Sequence, residues 1–152
     1  MNSLADFRAW VLSEAFPERI RASYVNGSIE VDTSPDEYFG HNFPKGEISS
    51  QLHLFIKRKN LGFACFDRAY FTHIAADVST EPDFLFFSHE ALASGRVRFL
   101  PRVNDRPGSM ELEGAPDLIV EIVSDSSVAK DRRRLPAAYF TAGVLEYWLV
   151  DA

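Results

Sequence analysis

The chain has 152 residues, of which 46 % are hydrophobic and 13 % aromatic, so it can bury the core of one domain and is not intrinsically disordered. Its formal net charge of −6 excludes a uniformly basic nucleic-acid binder, although local basic clusters could still contact phosphates. Cys65 is the single cysteine, which excludes an internal disulfide, and no apolar stretch approaches the ~20 residues of a membrane span. We therefore predict one cytoplasmic domain over residues 1–152.

The N-terminal part is predicted to hold two helices and a β-hairpin. Ser3 followed by Asp6 is typical of a helix start, and Asn26-Gly27 favours the type I′ turn of a hairpin. An apolar stripe at helical spacing marks the second helix. In chain order, the predicted elements are a helix from Ser3 to just before Pro17, strands near 23–25 and 28–31, a loop over 34–44 and a helix over 46–60.

The rest of the chain alternates loosely between short strands and two further helices, which predicts an α/β fold with a mixed sheet. The run 118–123 is apolar apart from Glu121, as in a central strand that is covered on both faces. Pro136 would either break the last helix or begin a fresh first turn within it. The predicted strands are 63–66, 70–74, 84–87, 97–100, 118–123 and 147–150, and the helices are 88–93 and 131–142.

Two carboxylates stand where strands favour apolar residues. Asp83 opens the apolar run 84–87, and Glu121 lies inside the run 118–123. Burying an unpaired carboxylate costs several kcal/mol, so such a group is neutralised by a metal, an arginine or backbone donors. If the two strands are neighbours, Asp83 and Glu121 are natural partners in one metal site. A structural ion pair between Glu121 and an arginine is the alternative.

Further acids could support such a site. Asp117 shares the strand face of Glu121, but ~13 Å would separate their Cα atoms in a regular strand, so Asp117 would orient a water or a ligand unless a bulge shortens the gap. Glu47, near the start of a helix, could point into the site or simply stabilise the helix dipole. His41, in the preceding loop, could also approach. Hard oxygen ligands suit Mg²⁺ or Mn²⁺ and phosphodiester hydrolysis.

Several segments carry a resemblance to a known family. They are PDLIVEIVS (116–124), Asp131, Tyr139 and AGVLEYWLVD (142–151), with GEI (46–48) and Pro82-Asp83 upstream. Together they resemble a large bacterial family of restriction-endonuclease-like proteins, formerly a domain of unknown function, in the PD-(D/E)XK nuclease superfamily. The resemblance covers roughly residues 20–152. It implies an α/β/α core with a mixed central sheet, and it places Asp83 and Glu121 at the metal-binding positions.

The chain departs from this family in two respects. Val123 occupies the place of the motif's lysine, which in this branch lies in the following helix, four residues after the position of Asp131; here that residue is Leu135. Lys130 is the best substitute, because an arginine stays charged and transfers protons poorly. Relatives usually continue beyond the final strand, so the domain could be shortened at its C-terminus, or another copy of the chain could supply the neighbour of that strand.

These features predict a Mg²⁺-dependent (or Mn²⁺-dependent) endonuclease acting on DNA. Asp83, Glu121 and Asp117 would form the metal site, with Lys130 and Glu47 assisting catalysis. The alternative is a catalytically impaired nucleic-acid-binding or scaffold protein on the same fold. A homodimer is a further hypothesis, because cutting both strands of a duplex needs two sites or two events. The candidate phosphate contacts, which could equally form a solvated helix face, are Lys130, Arg132, Arg133 and Arg134.

Overall fold

The computed structural model describes residues 3–17, 19–102, 107–124 and 130–152, without the side chains of Lys130 and Asp131. Four helices are present in these ranges: α1 Leu4–Val11, α2 Phe43–Lys59, α3 His89–Ala93 and α4 Leu135–Thr141. π-Helical turns, Tyr38–Asn42 and Lys130–Arg134, lead into α2 and α4. The strands are β1 Arg21–Val25, β2 Ser28–Asp32, β3 Gly62–Phe66, β4 Tyr70–His73, β5 Val78–Thr80, β6 Phe84–Ser88, β7 Val97–Pro101, β8 Ser109–Gly114, β9 Leu118–Ile122 and β10 Glu146–Val150.

Local signals account for the elements that the sequence predicted best. The Ser3 hydroxyl accepts the Asp6 N–H and caps α1. Asn26 and Gly27 have φ angles of 48° and 79°, as a type I′ turn requires, and they join β1 to β2 in the predicted hairpin. Pro136 lies in the first turn of α4, so it begins a new helix rather than interrupting one.

The segment predicted as a loop over 34–44 is partly helical, which corrects that prediction. The π-helical turn runs directly into α2, so α2 begins at Phe43 instead of Gly46, with Pro44 in its first turn. This earlier start has a consequence for the site, because it places Lys45 on the helix. Lys45 is buried there.

The strands form two mixed sheets, which confirms the α/β class. The larger sheet has the order β2-β1-β5-β4-β8-β7, and the smaller has the order β10-β9-β6-β3. All five residues of β9 are buried, as predicted for a central strand. It pairs in parallel with β10 and antiparallel with β6, where Phe84 lies opposite Val120.

The two faces of the smaller sheet pack against different parts of the core. Ile56 of α2 packs on the face that carries Phe84 and Val120. The other face carries Ile119 and joins the larger sheet and α4 in the main core cluster. Because side chains alternate along a strand, Glu121 shares the second face with Ile119. No helix within the described ranges is long and apolar enough to cross a membrane.

Candidate active site

Asp83 immediately precedes β6, and Glu121 lies on β9, the strand next to β6. The antiparallel register pairs Phe84 with Val120, so one further step aligns Asp83 with Glu121. Their exposed fractions are only 7 % and 5 %. Both side chains line the same cavity, which has a volume of about 210 Å³. The two strands that carry the predicted acids are therefore neighbours, as that prediction required.

The lining of this cavity is strongly acidic. Two more glutamates and an aspartate line the cavity beside Asp83 and Glu121. The basic residues of the lining are Arg21 and His41. Such a surface attracts cations and repels an uncompensated phosphate. The additional acids of the lining are Glu30, Asp32 and Glu81.

Asp83 is held from both carboxylate oxygens. Oδ2 accepts the Ile122 N–H at 2.9 Å and lies 3.5 Å from His41 Nε2, and Oδ1 lies 3.7 Å from Lys45 Nζ. Burial alone would raise the pKa of Asp83, but His41, the Ile122 N–H and Lys45 together lower it. The same contact with Asp83 raises the pKa of His41 against the opposing effect of burial. Asp83 is thus fixed in its ionised form.

Lys45 is the centre of a charge network behind Asp83. Its Nζ lies 2.8 Å from Asp36 Oδ2 and 3.3 Å from Asp67 Oδ1, and Arg21 Nη1 lies 3.3 Å from Asp36 Oδ1. Burial opposes the charge of Asp36, yet the Lys45 hydrogen bond and the charge of Arg21 lower its pKa to about 2. Although burial lowers the pKa of Lys45, these carboxylates raise it overall. Lys45 therefore acts as a fixed positive charge rather than as a base.

Glu121 is held by a tyrosine of the following helix. The Tyr139 hydroxyl donates to Glu121 Oε1 at 2.7 Å, and Thr80 Oγ1 lies 2.9 Å from the same hydroxyl. Burial, followed by the charge of Glu121, raises the pKa of Tyr139 well above its usual value. The phenol accordingly stays protonated and remains a donor.

Two acids considered from the sequence lie away from this cavity. Asp117 Oδ1 is 2.6 Å from Arg96 Nη2, and its Oδ2 accepts the Ser88 N–H at 2.6 Å. Asp117 immediately precedes β9, which pairs with both of its neighbours without a bulge, so nothing shortens the distance from Asp117 to Glu121. Glu47 is exposed on α2 and accepts a hydrogen bond from Gln51 at 3.2 Å. The structure brings neither carboxylate together with Asp83.

The basic cluster lies on the π-helical turn before α4. Arg132 forms an ion pair with Asp151, and Arg134 Nη1 lies 2.5 Å from Glu30 Oε1. Arg133 is exposed, and the Lys130 side chain lies outside the described residues. Leu135, at the position of the family's helix lysine, is fully buried in the main core cluster. No cation can therefore be supplied from that position.

The residues present fit a Mg²⁺ or Mn²⁺ ion held by few protein ligands. Within the described ranges, no group of three or more His, Cys, Asp or Glu side chains is arranged to hold a metal. Mg²⁺, however, usually keeps several waters and takes only one or two carboxylates from the protein. The opposed pair of Asp83 and Glu121 provides such a donor set in an acidic cavity.

Two mixed sheets packed with helices, with two buried carboxylates lining one cavity between neighbouring strands, are the features of a restriction-endonuclease-like α/β protein. A family model, "Uma2: Putative restriction endonuclease", matches residues 4–152. The chain belongs to this family, within the PD-(D/E)XK superfamily, so the resemblance in the sequence is confirmed. No curated protein matches the chain.

Proposed function

We propose that the protein is a Mg²⁺- or Mn²⁺-dependent endonuclease that hydrolyses phosphodiester bonds of DNA, with Asp83 and Glu121 as the metal ligands. One observation carries the proposal. In a chain of a restriction-endonuclease family, two buried carboxylates, one immediately before β6 and one on the adjacent β9, line one cavity.

Electrostatics explains why a cation belongs in this cavity. Like charges that are directly opposite each other across two strands destabilise a sheet. The further acids of the lining would repel a phosphate diester unless a cation offset them. A bound Mg²⁺ or Mn²⁺ would supply an activated water and stabilise charge on the phosphate.

The chain's own residues would orient the site. His41, Lys45 and the Ile122 N–H keep Asp83 ionised and in place. We assign the contacts with the DNA backbone to Arg132, Arg133 and Arg134, which are exposed on the turn before α4. Since Arg134 lies against Glu30 at the cavity wall, a phosphate would compete with that glutamate for the guanidinium. We also retain Lys130, on the same turn, as the candidate helper in catalysis.

One observation favours a second candidate function. Leu135 is fully buried where the family's lysine would lie, so a group that assists the attacking water is missing from that position. The alternative is therefore a catalytically impaired nucleic-acid-binding protein on the same fold, which keeps its metal but does not cleave. The two functions differ in turnover rather than in metal affinity.

A plasmid-nicking assay separates them. We expect the wild type to nick supercoiled DNA in Mg²⁺ or Mn²⁺ and to stop when the metal is chelated. Asp83→Asn and Glu121→Gln should abolish nicking. Glu90→Gln is the matched control, because its carboxylate is exposed on α3 outside the cavity, and it should cleave like the wild type. A wild type that binds metal but never nicks would favour the impaired alternative, and nicking that survives Asp83→Asn would overturn the proposed site.

A further inference from the structure

A chain of hydrogen bonds connects the two sheets at Glu121. Thr80 lies on β5 of the larger sheet, Tyr139 on α4, and Glu121 on β9 of the smaller sheet. The oxygen atoms are 2.9 Å apart between Thr80 and Tyr139, and 2.7 Å apart between Tyr139 and Glu121. All three side chains are buried.

The direction of this chain of hydrogen bonds follows from which hydroxyl donates at each step. The Tyr139 hydroxyl donates to Glu121 Oε1. That hydroxyl has a single hydrogen, so its oxygen accepts the second bond from the Thr80 hydroxyl. Hydrogen bonds in such a series polarise one another, which strengthens the hydrogen bond that Glu121 accepts from Tyr139.

The ring of Tyr139 is itself held firmly. Its centroid lies 5.7 Å from that of Phe71 and 5.2 Å from that of Tyr147, in edge-on contacts with both. Its helix also buries Leu135 and Ala138 in the same cluster. The hydroxyl therefore presents a fixed donor to Glu121 instead of a mobile one.

We propose that Tyr139, backed by Thr80, is a positioning residue that fixes the carboxylate of Glu121 beside Asp83 for metal binding. The inference rests on the proposed function, because it concerns the same pair of carboxylates. By holding Oε1, the phenol restricts the rotation of the carboxylate and sets the direction in which Glu121 meets the cavity.

The proposal predicts an effect on metal affinity rather than on stability alone. Removing a group that orients a metal ligand typically weakens metal binding by about tenfold or more. We therefore expect Tyr139→Phe to weaken Mn²⁺ binding about tenfold. Thr80→Val should weaken Mn²⁺ binding to a smaller extent. Thr80→Ser keeps the hydroxyl and should bind Mn²⁺ with the wild-type affinity. A merely structural tyrosine would lower the stability of its variant without changing the affinity of the folded protein.

The experiment is a calorimetric titration of Mn²⁺ alone into each folded variant, with thermal unfolding measured on the same samples. Tyr24→Phe is the matched control, because Tyr24 is also buried and its hydroxyl lies 3.3 Å from a carboxylate oxygen of Asp77. Neither Tyr24 nor Asp77 lines the cavity. Tyr24→Phe should lose stability but bind Mn²⁺ like the wild type.

Weakened binding in Tyr139→Phe and Thr80→Val, with normal binding in Tyr24→Phe and Thr80→Ser, would support the proposal. Normal binding in Tyr139→Phe would overturn it and leave the proposed function intact. If Tyr139→Phe does not fold, equal affinities in Thr80→Val and Thr80→Ser overturn it instead. A wild type that does not bind Mn²⁺ would overturn the metal site, and this inference with it.

Discussion

Lys45 Nζ lies 3.7 Å from Asp83 Oδ1, although the first residue belongs to α2 and the second precedes β6. The ammonium group also contacts Asp36 and Asp67, so this buried cation faces three carboxylates and shares their compensation with Arg21 and His41. Together with His41 and the Ile122 N–H, Lys45 lowers the pKa of Asp83 against the effect of burial. This ion pair links the first turn of α2 to the residue that precedes β6.

Lys45→Met should destabilise the protein by about 3 kcal/mol, because removing this buried cation leaves its three carboxylates with only Arg21 and His41 to compensate them. Urea unfolding in a metal-free buffer measures the loss. Lys59→Met, at the exposed end of α2, is the control and should stay within about 0.5 kcal/mol of the wild type. Equal stabilities of the two variants would show that the ion pairs of Lys45 do not stabilise the protein.

The lowered pKa of Asp36 predicts that the protein loses stability in acid. Its pKa falls from 3.8 to about 2 on folding, so the carboxylate adds stability above about pH 4 and loses it as the pH falls toward 2. The free energy of unfolding should therefore fall with acidification over this window, and less steeply in Asp36→Asn. Denaturation curves recorded at several pH values test this, and parallel pH profiles would contradict the assigned shift.

Glu121→Gln should stabilise the metal-free protein by up to about 1 kcal/mol, because it removes one of two opposed like charges. The glutamine oxygen can still accept the Tyr139 hydroxyl, so that hydrogen bond is kept. Urea unfolding with a chelator present measures the gain, and added Mn²⁺ should then give no further stabilisation. A variant less stable than the wild type in the chelator would argue against repulsion between Asp83 and Glu121.

Asp117→Asn should lose stability without losing metal affinity. The substitution weakens the contact with Arg96, at a cost of about 1–3 kcal/mol, far from the cavity lining. Thermal unfolding and Mn²⁺ titration on the same preparation test both parts. A clear fall in affinity would return Asp117 to the metal site, where the sequence alone had placed it.

The sequence predicts the elements whose signals are local. The Asn26-Gly27 hairpin and the Ser3 cap depend on neighbouring residues, and both are confirmed. By contrast, β5 (Val78–Thr80) was not predicted because three residues carry almost no periodicity. β8 (Ser109–Gly114) was missed because Glu111 stands at a buried position, where its ion pair with Arg8 of the distant α1 compensates it.

The site residues also differ in whether the sequence alone identifies them. Asp83 and Glu121 were identifiable because carboxylates are costly inside apolar strands, and the register that aligns them follows from strand pairing. Lys45 and Asp36 carry no such signal, since charged residues are ordinary in a loop or at a helix start. Only the folded chain brings Lys45 to Asp83 and Asp36 to Lys45. Only the structure shows that Asp117 forms an ion pair with Arg96.

Calorimetric titration of Mn²⁺ into the wild type and Asp83→Asn tests the central claim most directly. If Asp83 and Glu121 hold a divalent cation, the wild type will bind Mn²⁺ at one site and Asp83→Asn will lose that binding. Absence of binding in the wild type, or equal binding in both proteins, would contradict the metal site and the nuclease function built on it.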